Sequence, residues 1–482
     1  MAEIKYRKVS SSDFEELNLL NKEISKSKYR QKLHIQPLTG LLNDPNGFSY
    51  YKGKWQLFYQ WFPFDGIHGT KAWYHTVSDD LVHFENKGVG IYPDAYEDNH
   101  GAYSGSALQV GDDLFIYYTG NNRDEEYIRH PKQILVKYDG EKYSEKELLI
   151  DSHPDYTEHQ RDPKIVYDEN LDKYYIIIGA QTKDKIGCIL VYESSNPDKD
   201  FTFKGRLKVK SFEDFGYMWE CPDLISMDGK DILLFSPQGL EAEGEYFNNI
   251  YQNGYIIGKM DLEKLEFIPD SDFIELDRGF DFYASQTANH PFDSQYLIAW
   301  MGLPDTNYPT ELEKWSGSLT MVRELSLCEN KIYQYPVEGY RNLRKSENIY
   351  ECEKTKLEIA DPREIEIENI RKNLAISFID DEKVLMELKY KNNEFVFTRK
   401  SFSAEDIDGD FEKRYISNID VNRLNIFIDT SSIEIFINEG EYSLTSRYFK
   451  NNDSINLIAD SNDIINIKTW KLDTCIDENF VL

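Results

Sequence analysis

Short apolar runs recur along the chain about every sixty residues, and each one follows a polar turn. The runs begin at Trp55, Leu114, Tyr174, Ile232 and Tyr296, so successive starts are 59, 60, 58 and 64 residues apart. A polar turn beside an apolar strand is typical of a β-hairpin. The pattern therefore predicts one hairpin that recurs five times.

A second series of positions keeps the same spacing. Its members are Asp44, Tyr103–Ser104, Asp162, Glu220 and Asp281, at intervals of 59, 59, 58 and 61 residues. A strand-only repeat of this length is typical of a β-propeller blade, and equivalent positions of successive blades face one central channel. We therefore expect these polar side chains to converge. The alternative, a long irregular β-sandwich, does not explain why the apolar runs and the polar positions recur with the same spacing.

The two ends of the chain follow other patterns. Ser12 and Glu15 can form a capping box for a short N-terminal helix. The apolar residues that share one face of this helix are Phe14, Leu17, Leu20 and Ile24. Beyond residue 346, short alternating strands separated by turns predict a β-sandwich, in which Glu434 is expected to face solvent.

Together these patterns predict an all-β chain, with a five-bladed β-propeller followed by a C-terminal β-sandwich and a short N-terminal helix. We expect a helical extension at 1–30, the propeller at 31–328, a linker at 329–345 and the sandwich at 346–482. A linker is expected there because the segment contains Pro and Gly and the sixty-residue spacing has ended.

The composition narrows the choice of partners. The chain has 86 acidic and 55 basic residues, which gives a formal charge of −31. Such a chain repels nucleic acid and anionic membrane, so we expect neither as a partner. The hydrophobic content of 40% and the aromatic content of 14% are sufficient for folded cores.

Cysteine usage and the absence of long apolar runs indicate a cellular location. The five cysteines form no CxxC pair, which argues against a disulfide framework and against a zinc site. The N-terminus has no apolar run of signal-peptide length, and no window approaches a membrane span of 18 or more apolar residues. We therefore expect a soluble cytoplasmic protein, whose oligomeric state the sequence does not indicate.

Two aspartates of the second series stand in unusual surroundings. Asp44 lies in "LLNDPNGF", where it follows Asn43 and precedes Pro45. Turn chemistry alone explains such a segment, but a carboxylate at a strand end can also serve catalysis. Asp162 lies in "HQRDPK", where Arg161 can hold an anion or a sugar hydroxyl by a forked hydrogen bond.

Glu220 completes the candidate set, since it lies between Trp219 and Cys221. Flanking apolar groups would favour its neutral form, as a general acid requires, although an isolated Glu beside Trp is usually an edge residue. One ionised and one protonated carboxyl group are what glycosidic cleavage uses. The three acids in one blade register therefore favour a two-carboxylate glycosidase.

A further cluster resembles a metal site only superficially. His153, Asp155, Glu158 and His159 lie close together in the sequence. Their spacing fits neither a helix nor a common zinc pattern, so we expect a solvated loop and no metal.

The motifs around these acids closely resemble, in order, those of glycoside hydrolase family 32. They are "LLNDPNG" (41–47), "YSGS" (103–106), "RDP" (161–163), "WECPD" (219–223) and "DFYASQT" (281–287). The resemblance extends from about residue 34 to 449 and includes "FIDTSSIEIFINEG" in the expected sandwich. It departs from the common pattern at Leu41–Leu42, where many members have aromatic residues, and at Met321–Val322. It implies a five-bladed propeller followed by a β-sandwich, in agreement with the spacing.

The resemblance also implies a role for each acid. Asp44 would be the nucleophile that attacks the anomeric carbon of a β-fructofuranosyl unit, and Glu220 would be the general acid/base. Asp162 would stabilise the transition state. This is a retaining double displacement, with nucleophile and acid about 5–5.5 Å apart.

By the same resemblance, further residues are expected to contact the substrate. The expected substrate-binding residues are Leu42, Asn43, Gln60, Trp73, Tyr103, Ser104, Arg161, Tyr283 and Trp300. The cations considered for a substrate phosphate are Lys71, Arg123 and Arg129, although the last two also fit a polar surface loop. No metal or organic cofactor is implied.

Within the family, segments such as "TGLLNDPNGF", "NHGAYSGSAL" and "MGLPDTNYPT" are most similar to bacterial enzymes that cleave sucrose 6-phosphate and sucrose. Hydrolysis of those sugars is the expectation. One alternative is a β-fructofuranosidase for short fructo-oligosaccharides such as kestose, and fructosyl transfer is also open. The alternative from another class is a non-catalytic sugar-binding propeller, against which all three acids count.

Overall fold

The structure is a computed structural model that describes residues 2–402 and 411–482. Two helices open the chain, α1 (Ala2–Lys5) and α2 (Phe14–Ile24), with a 3₁₀ turn at Ser11–Asp13 between them. The predicted capping box is displaced by two residues, because this turn precedes α2. The backbone N–H of Ser10 donates to Asp13 Oδ2 at 2.8 Å.

The chain then forms five mainly antiparallel sheets, which are the blades of a propeller. Blade 1 contains β1 (Gly40–Tyr51), β2 (Lys54–Phe62), β3 (Ala72–Ser78) and β4 (Phe84–Ile91). Blade 2 contains β5 (Ala102–Val110), β6 (Asp113–Arg123), β7 (Arg129–Tyr138) and β8 (Glu147–Ile150). Blade 3 contains β9 (Tyr156–Asp168), β10 (Lys173–Thr182), β11 (Gly187–Ser194) and β12 (Thr202–Arg206).

The last two blades are less regular. Blade 4 contains β13 (Lys208–Val209), β14 (Met218–Met227), β15 (Lys230–Gln238), β16 (Gly254–Asp261), β17 (Glu266–Pro269) and β18 (Ile274–Glu275). Blade 5 contains β19 (Tyr283–Thr287), β20 (Gln295–Trp300), β22 (Arg323–Cys328) and β23 (Lys331–Pro336). Between β20 and β22, the short strand β21 (Trp315–Ser316) joins blade 1 instead.

The predicted hairpins are confirmed, and their first strands form the centre of the propeller. Each apolar run is the second strand of its blade, and the polar strand before it lies innermost. The inner strands β1, β5, β9, β14 and β19 contact one another in sequence around a closed ring. Strand β21 pairs in parallel with the start of β1, so a late segment of the chain helps to close the first blade. Residues on five distant segments therefore meet at one axis.

The C-terminal part is the predicted β-sandwich, built from ten strands. They are β24 (Arg344–Ala360), β25 (Arg363–Glu368), β26 (Asn373–Asp380), β27 (Lys383–Lys391), β28 (Glu394–Lys400), β29 (Phe411–Ser417), β30 (Arg423–Ile428), β31 (Ser432–Ile437), β32 (Tyr442–Arg447) and β33 (Ser454–Leu472). Alternate apolar side chains, such as Ile433, Ile435 and Ile437 of β31, are buried in its core.

The opposite face of β31 is buried as well, which makes the prediction for Glu434 wrong. Its carboxylate is fully buried, where it accepts hydrogen bonds from the backbone N–H of Met321 and from Arg323. His34 contacts both Glu434 and Asp429 through its two ring nitrogens, at 2.9 and 2.8 Å. The propeller covers this face, so alternation along the strand indicates two different buried surfaces and not a solvated one.

The segment expected as a linker also differs. Residues 331–336 form β23, which pairs with β22 as an outer strand of blade 5, so this blade extends beyond residue 328. The segment is a strand because Ile332 is buried with Leu325 in the core of that blade. The division into an N-terminal extension, a propeller and a sandwich stays a prediction. Among the residues that the structure describes, no helix is long and apolar enough to cross a membrane.

Candidate active site

The three predicted acids lie together at the centre of the propeller. Asp44, Asp162 and Glu220, from β1, β9 and β14, line one pocket of about 290 Å³. They are the first, third and fourth members of the second series, and the Tyr103–Ser104 position of β5 lies between the first two of them. The sixty-residue spacing therefore places these groups correctly.

Asp44 is held by three side chains from blades 1 and 2. Asn43 donates to Oδ1 at 3.0 Å, and Gln60 and Ser104 donate to Oδ2 at 3.2 and 2.5 Å. Burial raises the pKa of Asp44, the hydrogen bond from Ser104 opposes this shift, and the charge of Glu220 adds to it. The three donors hold the carboxylate in place, and Asp44 lines the pocket.

Asp162 lies in a strained backbone position with a φ of +66°. Its backbone N–H donates to Thr119 Oγ1, and its Oδ2 accepts from the backbone N–H of Cys221 at 3.0 Å. Burial raises the pKa of Asp162 to about 7, against the charge of Arg161 and with the help of the charges of Glu220 and Asp44. Burial and the neighbouring carboxylates therefore favour the protonated form of Asp162 relative to an aspartate in water.

Glu220 receives donors on both carboxylate oxygens. Arg161 donates to Oε1 through Nε at 2.9 Å and through a second nitrogen at 2.5 Å. Gln238 and the hydroxyl of Tyr283 donate to Oε2 at 2.8 and 2.5 Å. This orients the carboxyl group from two sides.

The expected apolar surroundings of Glu220 are wrong. The indole ring of Trp219 stacks on Phe235 with centroids 4.3 Å apart, and its N–H donates to the carbonyl of Phe215. Neighbouring residues of a strand point to opposite faces, so Trp219 packs inside blade 4 while Glu220 faces the pocket. Polar partners, and not the indole, surround the acid.

Most of the predicted substrate-binding residues line the pocket. Those that do are Asn43, Gln60, Tyr103, Arg161, Tyr283 and Trp300. Ser104 lies beneath them as a donor to Asp44. Leu42 and Trp73 do not line the pocket and their side chains are fully buried, so their contact with the substrate stays a prediction. The register of β1 shifts after Leu42, which places it in the core, while the indole N–H of Trp73 supports the carbonyl of Tyr103.

The three expected phosphate-binding cations separate in space. Lys71 lines the pocket, where its Nζ donates to Asn43 Oδ1 at 2.7 Å. Arg123 donates to the carbonyl of Tyr127 in its own hairpin, and the guanidinium of Arg129 lies 5.9 Å from the ring centre of Tyr103. Neither arginine is part of the pocket wall.

Asp281, the fifth member of the polar series, does not join the other acids. It precedes β19 and is buried against the sandwich, where it accepts a hydrogen bond from Tyr308 at 2.7 Å and pairs with Arg399. Tyr283, two residues later, and Trp300 supply the contribution of blade 5 to the pocket.

The histidines that preceded Asp162 in the sequence also have a defined place. His159 lies on β9, where its Nδ1 is 3.0 Å from a terminal nitrogen of Arg161, so it is part of a strand and not of a loop. Within the described ranges, no group of three or more His, Cys, Asp or Glu side chains could hold a metal ion.

Sequence reasoning missed several pocket residues. Lys5, His68 and Pro304 line the pocket, and Gln238 and the Cys221 backbone support the acids. Gln238 could have been found from the hairpin register, since it pairs with Met218 at the end of β14. Lys5 carries no such signal, because it lies outside the repeat.

Carboxyl groups that converge in one pocket, here at the axis of a five-bladed propeller, are what glycosidic cleavage uses, so the site indicates a glycoside hydrolase. The sequence comparisons specify the family. The family model for the "Glycosyl hydrolases family 32 N-terminal domain" matches residues 34–336, and the model for "Glycosyl hydrolases family 32 C terminal" matches residues 364–471. The chain belongs to glycoside hydrolase family 32.

Bacterial enzymes of similar length and an insect enzyme are among the proteins similar to this chain. A sucrose-6-phosphate hydrolase of Lactococcus lactis is 40% identical over 97% of this chain and 98% of its own, and one of Bacillus subtilis is 36% identical over 95% of this chain and 97% of its own. The solved sucrose-6-phosphate hydrolase from Lactobacillus gasseri superimposes with a TM-score of 0.90 at 33% identity, covering 98% of this chain and 99% of that one. A mutant of a Bombyx mori GH32 beta-fructofuranosidase, solved in complex with sucrose, gives 0.86 at 31% identity, covering 97% and 100%.

Proposed function

We propose that the protein hydrolyses the β-fructofuranosyl bond of sucrose 6-phosphate, and of sucrose, with retention of configuration. Fructose and glucose 6-phosphate, or glucose, are the products. The observation that carries this proposal is the convergence of Asp44, Asp162 and Glu220 on one pocket in a chain similar to sucrose-6-phosphate hydrolases along its length.

Asp44 is the proposed nucleophile. Asn43, Gln60 and Ser104 hold its carboxylate, so little reorganisation is needed before it attacks the anomeric carbon. The attack would form a covalent fructosyl–enzyme and release the glucosyl part.

Glu220 is the proposed general acid/base. It would protonate the departing glycosidic oxygen and then accept a proton from the water that releases fructose. Arg161 and Tyr283 hold opposite oxygens of its carboxyl group, which keeps the group directed at the same bond in both steps. General acid catalysis of this kind is worth about 10²–10⁴ in rate.

Asp162 is the proposed transition-state stabiliser. Its carboxylate would accept hydrogen bonds from fructose hydroxyls and oppose the positive charge of the oxocarbenium-like transition state. Arg161 lies beside Asp162 and balances the charge of the two carboxylates. Burial lowers the pKa of Arg161, but the charges of Glu220 and Asp162 outweigh burial and raise the pKa above its usual value, so the guanidinium stays charged.

A cytoplasmic setting is proposed with this activity. All five cysteines are free, including the buried Cys188 and Cys475. Unpaired thiols are typical of a reducing compartment.

A product assay on sucrose 6-phosphate, sucrose and 1-kestose, side by side, tests the function. We expect the highest kcat/KM for sucrose 6-phosphate, a lower value for sucrose, and β-fructofuranose as the first product seen by NMR. A preference for 1-kestose, or transfer of fructose to sugar in place of water, would contradict the proposal.

A further inference from the structure

Three nitrogen-bearing side chains, Lys5, His68 and Lys71, line one wall of the active-site pocket. His68 and Lys71 lie in the loop between β2 and β3, whereas Lys5 ends α1 at the N-terminus. The N-terminal segment is held against this loop, since the carbonyl of Lys5 accepts the backbone N–H of Thr70 at 2.9 Å. The guanidinium of Arg7 also lies 3.9 Å from the ring centre of Phe64.

The positive charge of this wall is not neutralised by direct pairs. Among the ion pairs of the described residues, none includes Lys5 or Lys71. Lys71 is only 3% exposed, and its Nζ contacts Asn43 Oδ1 and, at 3.2 Å, His68 Nδ1. Burying a cation without a paired anion is costly. Accordingly, burial lowers the pKa of Lys71 to about 7, with Asp44 opposing the shift and Lys5 adding to it.

His68 adds a neutral donor to the same wall. Burial, with the charges of Lys71 and Lys5, lowers the pKa of His68 well below its usual value. When Lys71 donates to Nδ1, the ring proton is on Nε2, for which the described part of the chain supplies no hydrogen-bond partner. An oxyanion could therefore accept hydrogen bonds from two ammonium groups and one imidazole N–H.

We propose that Lys5, His68 and Lys71 form the subsite for the phosphate of the leaving glucosyl unit, so that the N-terminal segment determines substrate preference. This inference rests on the proposed function. The chain has a net charge of −31, so most of its surface repels anions. The wall formed by Lys5, His68 and Lys71, beside the three carboxyl groups, is basic and has no paired anion within the described residues, so an anion binds there. Arg123 and Arg129, which face other partners, are not part of this subsite.

The variant Lys5→Ala tests the subsite, with Lys8→Ala as the matched control. Lys8 has the same charge on the same exposed segment but does not line the pocket. Loss of one charged hydrogen bond should lower the ratio of kcat/KM for sucrose 6-phosphate to that for sucrose by about three- to tenfold in Lys5→Ala. The ratio for Lys8→Ala should stay at the wild-type value. An unchanged ratio in Lys5→Ala, or equal losses in both variants, would overturn the subsite.

Product inhibition gives a second readout that needs no variant. Glucose 6-phosphate should inhibit the wild-type protein at lower concentration than glucose or fructose 6-phosphate, and this advantage should shrink in Lys5→Ala. Stronger inhibition by fructose 6-phosphate would overturn the assignment to the leaving group. If the wild-type protein cleaves neither sucrose nor sucrose 6-phosphate, the proposed function is wrong. If it cleaves both, but Lys5→Ala leaves the ratio of the two kcat/KM values unchanged, only the subsite is wrong.

Discussion

Asp162, the proposed transition-state stabiliser, lies in an arrangement that costs stability. Its backbone adopts a φ of +66°, and its carboxyl group is buried beside two other acids. Positive φ at a non-glycine residue and buried like charges are both unfavourable, and such strain is concentrated at functional sites. Hydrogen bonds from Cys221 and to Thr119 maintain the arrangement.

We predict that Asp162→Asn yields a more stable but poorly active protein. The pKa of Asp162 is raised from 3.8 in the unfolded chain to about 7, so its ionisation weakens folding as pH rises from about 4 to 7. The variant lacks this penalty, so its free energy of unfolding at pH 8 should exceed that of the wild type by about 0.5–2 kcal/mol. Denaturant unfolding at pH 8 and pH 4 measures it; an advantage that is equal at both pH values would contradict the assignment.

At this scale the sequence predicts which acids meet in the pocket but not how each is surrounded. The blade spacing and the motifs place Asp44, Asp162 and Glu220 correctly. They do not reveal that Trp219 turns away from Glu220, or that a register shift moves Leu42 into the core. Side-chain direction near a β-bulge depends on local backbone geometry, which residue identity does not specify.

At the scale of elements, the recurring hairpins follow directly from the sequence, whereas the closure of the ring does not. Strand β21 consists of two residues, too few to produce a hydrophobic pattern. Its parallel pairing with β1 brings Gly317 against the carbonyl of Leu42, directly before Asn43 and Asp44. A segment near residue 316 thus supports the strand that carries the proposed nucleophile.

We predict that Gly317→Ala destabilises the propeller and lowers activity. Gly317 has a φ of +85°, and an added Cβ would lie 1.9 Å from the carbonyl oxygen of Leu42. Gly53→Ala is the matched control, because its φ of +82° imposes similar strain while nothing lies within 4 Å. The control should lose about 1–3 kcal/mol of unfolding free energy with normal kcat. Gly317→Ala should lose more and also turn over more slowly; identical behaviour of the two variants would refute the steric argument.

At the scale of the whole molecule, the propeller and the sandwich are joined by buried charges. His34, Asp429, Glu434, Arg323 and Asp277 are all at most 5% exposed and bonded to one another. Burial lowers the pKa of His34, but the two carboxylates outweigh this and raise it to about 9. A single strand pattern cannot indicate such a network, since its members come from distant parts of the chain.

We predict that this network makes stability depend on pH. The pKa of His34 rises from 6.5 in the unfolded chain to about 9, so its contribution is complete below pH 6.5 and is lost as pH rises through 9. His34→Gln should cost about 3–5 kcal/mol at pH 6, because it leaves buried carboxylates without their partner.

The exposed pair of His83 with Asp80 provides the control, since His83→Gln should change stability by less than about 0.5 kcal/mol. Thermal unfolding from pH 6 to 10 gives the comparison. A wild-type Tm that does not fall across this range, or that falls equally in His34→Gln, would argue against the network.

The proposed mechanism requires a covalent bond between Asp44 and fructose. A Glu220→Gln variant supplied with β-fructofuranosyl fluoride, whose leaving group needs no acid, should accumulate the fructosyl–enzyme because the second step lacks its base. Mass spectrometry of the digested protein should then find one added fructosyl unit on the peptide that contains Asp44. An adduct on any other residue, or release of inverted product with no adduct, would contradict the assignment of Asp44 as the nucleophile.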